Sequence, residues 1–180
     1  MSAMGNLDFR SRNGSERVLA LGLVALGVFS RVLPHPENVT PTAAIALFSG
    51  VALSGPLAFT VPLLVMAASD FFIGWHGLFW LVWPAFLLVT WLGQAVRVKN
   101  GAWPILLASF GGSILFFVLS NFGVFLFENM YPKSWAGLAE CFEMTLPFFR
   151  NSLTGDLAYT AVIFSLFELS RRGMRAFQRA

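Results

Sequence analysis

This 180-residue chain holds nine carboxylates, and two of them, Asp70 and Asp156, sit in apolar surroundings. Asp70 closes the run Leu57–Ile73, and Asp156 opens the run Leu153–Leu169. A carboxylate at membrane depth is costly, so it usually faces a bundle interior or a wet cavity. Two blander placements stay open. Asp156 follows "NSLTG" and suits a helix N-cap or first-turn acid. Asp70 suits an interfacial residue snorkelling outward. Other groups able to hydrogen-bond a small molecule gather with them. His35, Asn38 and Thr40 lie in the proline-stiffened segment "RVLPHPENVTPTAAIALFSG". Trp75 and His76 follow Asp70, Asn121 lies late in a fifth apolar run, Tyr131 lies in the segment 128–150, and Asn151 opens the sixth run. We read these ten residues as ligand-binding, with Asp70, Asn38 and Asn121 facing one outward-open cavity. Asp70 needs a partner there, such as a ligand group, a backbone amide, Arg31 or Arg150.

No catalytic residue, metal ligand set or cofactor is expected. Two histidines without ligand spacing do not make a metal site. A single cysteine, Cys141, excludes an intrachain disulfide framework and a multi-cysteine zinc site. There is no glycine-rich phosphate loop and no nucleophile elbow.

The elements that must position these groups are hydrophobic. Of the chain, 57% is hydrophobic and 12% charged, against about 25% charged in ordinary globular proteins. Such a chain calls for a lipid bilayer as solvent. Apolar runs cover Val18–Leu33, Thr42–Leu53, Leu57–Ile73, Leu78–Val96, Trp103–Phe127 and Leu153–Leu169. Strand alternation is absent, so the fold class is all-α: an integral membrane protein with a compact bundle of about six transmembrane helices. Residues 42–73 read as two short spans or as a re-entrant pair, because each run falls short of about 20 residues. The expected organisation is an N-terminal tail over 1–17, a membrane domain over 18–170 and a basic tail over 171–180. Outer loops are expected near 34–41 and 128–150. Thr42, Ala46, Gly50 and Ser54 recur every fourth residue, a small-residue stripe that lets another helix approach closely.

Six spans place both termini beside the Arg97/Lys99 loop. That side carries nine basic residues and the other only Arg31, Lys133 and Arg150. The asymmetry puts both termini in the cytoplasm. The net charge of +3 lacks a basic patch interleaved with exposed aromatics, so nucleic acid is not an expected partner.

The stretch "TPTAAIALFSGVALSGPLAFTVPLLVMAASDFFIGW", followed by three more apolar runs, resembles the substrate-binding S components of energy-coupling factor (ECF) vitamin transporters. The shared pattern is a small-residue helix, a Gly-Pro turn, an apolar helix and a terminal Asp with Gly. "LPHPENVTPTAAIALFSG", "SDFFIGWH", "SNFGVF" and "YPKSWAGLAECFEMTLPFFRNSLTGDLAYT" are similar to an uncharacterised family of small bacterial integral membrane proteins. The S-component resemblance implies capture of a vitamin or cofactor precursor at the outer face of the bacterial inner membrane, under loops that close over it. It also implies an ATPase module with its own membrane subunit as partner. The first helix reads "ALGLVALG", without the alanines at four-residue spacing that such a partner surface carries, so a solitary transporter is the other form. The competing classes are a membrane enzyme using outer-face Asp and His groups in acid–base roles, and a structural membrane subunit.

Overall fold

The computed structural model describes residues 9–75, 77–96 and 102–177. They form six helices: α1 (Phe9–Val32), α2 (Thr42–Ala52), α3 (Pro56–Ile73), α4 (Phe79–Val96), α5 (Ala102–Phe127) and α6 (Trp135–Phe177). No strand occurs among the described residues. Three helices, α3, α4 and α5, are long and apolar enough to cross a membrane. The exterior is also apolar: Leu21, Phe29, Phe71, Leu107 and Leu166 are all more than half exposed.

The shortest helix is the centre of the bundle. α2 contacts each of the other five. Residues Ala44 to Gly50 are buried on every face of the helix, as expected of an apolar helix with protein all round it. Its 11 residues rise only about 16 Å, roughly half of a bilayer core. Phe48 anchors it to α6, edge-on to Phe164 and Phe167 at 5.0 Å each. Ser49 ties it to α3 by donating to the Ala58 carbonyl at 2.9 Å.

The crossing of α2 with α4 is set by two glycines. A Cβ on Gly50 would collide with the Thr90 carbonyl, and one on Gly93 with the Leu47 carbonyl. The stripe Thr42, Ala46 and Gly50 is therefore buried inside this chain. Ser54 lies beyond the helix end and joins no stripe. Its N–H and hydroxyl instead donate to the Glu16 carboxylate at 3.2 and 3.1 Å.

α1 and α3 run parallel, fastened near both ends. Glu16 holds the α2–α3 turn at one end, and Arg31 holds Asp70 at the other.

The expected loop over 128–150 is mostly helix. Ser134 Oγ accepts the Gly137 N–H at 3.2 Å, an N-terminal cap, and α6 then continues to Phe177. The cause is packing: Cys141, Phe142 and Phe149 fall on one face and meet α5. Phe117 meets Phe142 edge-on at 5.5 Å and lies against Phe149 at 4.4 Å. Glu140, Glu143 and Arg150 gave the segment a loop-like composition, yet they lie on its exposed face. Pro147 withdraws a backbone donor without ending the helix. The two expected tails are likewise helical over 9–17 and 171–177. The Arg97/Lys99 loop and both chain ends lie outside the described residues.

Candidate functional site

α2 is the shortest of the six helices and begins only after the irregular segment 33–41. Space opens above its first turn, and the segment 33–41 runs over that space. The result is a cavity of about 300 Å³ lined by Arg31, His35, Asn38, Thr40, Thr42, Ala43, Met66, Phe86, Phe116, Ser152 and Asp156, among others. A second cavity of about 320 Å³ shares Asn38, Phe116 and Ser152 with it and reaches Ser113, Ser120, Asn121 and Thr145. The two adjoin between α5, α6 and the 33–41 segment. Each is at the small end of the range for ligand sites.

The overlying segment is tied to α6. Asn151 donates to the Glu37 carbonyl at 3.4 Å, and Val39 lies against Gly155. Asn38 adopts φ 59°, the left-handed region that asparagine tolerates better than most residues. His35 Nδ1 hydrogen-bonds the Leu33 carbonyl at 2.7 Å, and the Thr40 and Thr42 hydroxyls meet at 3.1 Å. The first turn of α2 opens under this segment with no side-chain cap on its amides.

The two carboxylates have different fates. Asp70 is 1% exposed and lines neither cavity. Arg31 Nη2 donates to its Oδ1 at 2.6 Å, and Trp83 Nε1 to its Oδ2 at 2.9 Å. Arg31 Nε donates to Ser69 Oγ at 2.7 Å. The expectation that Asp70 faces the cavity is thus corrected: a buried carboxylate needs a counter-charge, Arg31 supplies it, and Arg31 rather than Asp70 lines the cavity. Asp156 lies 21 residues inside α6, not at a helix start, so it is no N-cap. It is buried, lines the cavity, and accepts from Ser113 Oγ at 2.6 Å. Ser109 and Thr160 extend this polar seam between α5 and α6 at 2.9 Å.

The remaining expected residues are spread out. Asn121 lines the second cavity, while its Nδ2 donates to the Phe117 carbonyl at 2.8 Å. So Asn38 and Asn121 do border one space, without Asp70. Trp75 is exposed and meets Phe79 edge-on and Trp83 at a tilt, outside both cavities. Tyr131 lines neither cavity, and Asn151, besides holding the loop, lines a separate, more open space of about 1000 Å³ with Val39, Glu143, Arg150 and Tyr159. His76 lies outside the described residues. Sequence reasoning missed Ser113, Ser152, Phe86 and Phe116, and assigned Thr42 to packing alone. The four-residue spacing of Ser109 and Ser113 could have marked a polar face on α5.

No group of three or more His, Cys, Asp or Glu side chains comes together among the described residues. Nothing in these contacts supports an enzymatic activity.

No curated protein and no solved structure matches the chain. Residues 11–177 match DUF6580, described as a family of unknown function. That match spans nearly the whole chain, and the protein belongs to this family.

Proposed function

We propose that the protein is a multi-pass membrane protein that binds a small molecule from the outer face and moves or delivers it across the bilayer. The observation that carries this reading is the polar-and-aromatic cavity above the first turn of α2. It joins a few converging polar groups to apolar walls, the usual make-up of a small-molecule site. Irregular backbone at membrane depth is tolerated where it lines a cavity, and the 33–41 segment fits that rule. In this reading α1, α3, α4, α5 and α6 cross the bilayer. α2 makes the sixth passage inside the protein, and the largely exposed 33–41 segment leads into it from α1. Both termini then lie in the cytoplasm of a bacterial inner membrane, as the basic asymmetry favours. The pattern shared with ECF S components supports a vitamin or cofactor precursor as cargo and an ATPase module as possible partner.

Two measurements test this. Mass spectrometry of the detergent-solubilised protein should find a stoichiometric small molecule, lost on replacing Thr42 and Ser152 by leucine to fill the cavity. A reporter active only outside the cytoplasm, fused after Ala180, should stay silent. No bound molecule, and no thermal stabilisation by a metabolite library, would overturn the binding reading. A strong reporter signal would overturn the topology.

A further inference from the structure

The charge in the cavity wall is unbalanced. Arg31 lines it, but its guanidinium is matched by Asp70 directly behind. Asp156 lines the same cavity with only 8% of its surface exposed, and no cation pairs with it among the described residues. Its side chain has one protein contact, Ser113 Oγ on Oδ2. Every enclosed side-chain nitrogen or oxygen among the described residues has a hydrogen-bond partner. Oδ1 has none, so it is not enclosed: it is open to the cavity. The neighbouring wall is apolar, with Phe86 and Phe116 stacked at 4.8 Å. Taken together, Arg31, Asp70 and Asp156 leave this space one negative charge in excess when His35, which also lines it and bonds the Leu33 carbonyl, is neutral.

We propose that the cavity takes a small organic cation, a protonated amine or cationic heterocycle, with Asp156 as its counter-ion and the Phe86/Phe116 wall against its apolar part. This rests on the binding reading above and narrows its ligand class. A carboxylate held in a low-dielectric interior is strongly stabilised by an opposite charge brought within contact. Aromatic faces add attraction for a cation rather than an anion. The uncapped first turn of α2 opposes this with about half a positive charge, less than the full charge on Asp156.

The test uses three probes of one shape: benzylammonium, benzyl alcohol and benzoate, added to the purified full-length chain in detergent. Benzylammonium should raise the melting temperature and bind at least tenfold tighter than the alcohol, with benzoate weakest. Asp156→Asn, which keeps the Ser113 contact, should abolish that preference. Should this variant fail to fold, the wild-type chain gives a second readout. A hydrophobic carbodiimide should modify Asp156, mapped by peptide mass spectrometry, and benzylammonium but not benzoate should slow that modification. Equal or tighter binding of benzoate or the alcohol would overturn the cation inference while leaving a binding protein. So would benzylammonium binding that Asp156→Asn does not change, or carbodiimide labelling that benzylammonium does not slow. Absence of any effect from all three probes would overturn the inference as well. The binding reading itself falls only if co-purification and the library screen are also empty.

Discussion

Arg31 Nη2 and Asp70 Oδ1 lie 2.6 Å apart and join the C-terminal ends of two parallel helices, α1 and α3. Asp70 is fully buried and Arg31 is 19% exposed, so the pair is largely removed from solvent. Trp83 donates to Asp70 as well, and Arg31 donates to Ser69.

That geometry makes Asp70 a stability residue. Removing one partner of a buried pair strands the other charge, at a cost of about 3–5 kcal/mol. Asp70→Ala and Arg31→Met should each lower the melting temperature in detergent sharply. The double variant should lose clearly less than the two losses added together, since it strands no charge. Additive losses would show that the pair is not coupled.

The crossing of Gly50 and Gly93 predicts a different failure. A Cβ at either position meets backbone, Thr90 O or Leu47 O, which cannot move aside as a side chain can. Gly50→Ala and Gly93→Ala should each cost about 1–3 kcal/mol or more by overpacking. Gly22, also in a helix but with nothing within 4 Å of its would-be Cβ, is the control. Gly22→Ala should be neutral or slightly stabilising. Folded yield and melting temperature of the three variants check this. Tolerance of Gly50→Ala would mean that α2 and α4 lie further apart.

The helical class and the apolar runs were legible because hydrophobic periodicity and turn residues act locally. Ser54-Gly55-Pro56 marked the α2–α3 turn correctly, with Gly55 at φ 56°. What could not be read were facts of placement. The polar face of α6 near Glu140 and Glu143 looks like a loop until Phe117 is known to receive Phe142 and Phe149. Asp70 and Asp156 look alike in sequence. Only the arrival of Arg31 from another helix separates a sealed ion pair from a carboxylate open to a cavity. The shortness of α2 was visible, but its position at the centre, and hence the space above it, was not.

Asn38 gives a test of the segment over the cavity. At φ 59° a β-branched residue is strained, whereas glycine is not. Asn38→Val should therefore destabilise by about 1–2 kcal/mol. Asn38→Gly should keep the melting temperature within a degree or two. Equal loss in both variants would assign the effect to the side-chain amide instead of the backbone.

Cys141 tests whether residues 135–150 are packed helix or open loop. Its side chain is fully buried between α5 and α6, with Sγ donating to the Asn121 carbonyl at 3.5 Å. As the chain's one cysteine, it reports without background. A thiol reagent such as N-ethylmaleimide reaches a buried thiol only when the surrounding structure opens, so its labelling rate reads local opening. Native protein in detergent should label at least a hundredfold more slowly than protein denatured in sodium dodecyl sulfate. Gly137→Leu should speed native labelling, because a Cβ there collides with the Pro132 carbonyl and disturbs the first turn of α6. Trp135→Ala, at a side chain 87% exposed, should leave the rate unchanged. Rapid labelling of the native wild-type chain would place 135–150 away from α5 and remove one wall of the cavity that Asn38 and Asn121 share.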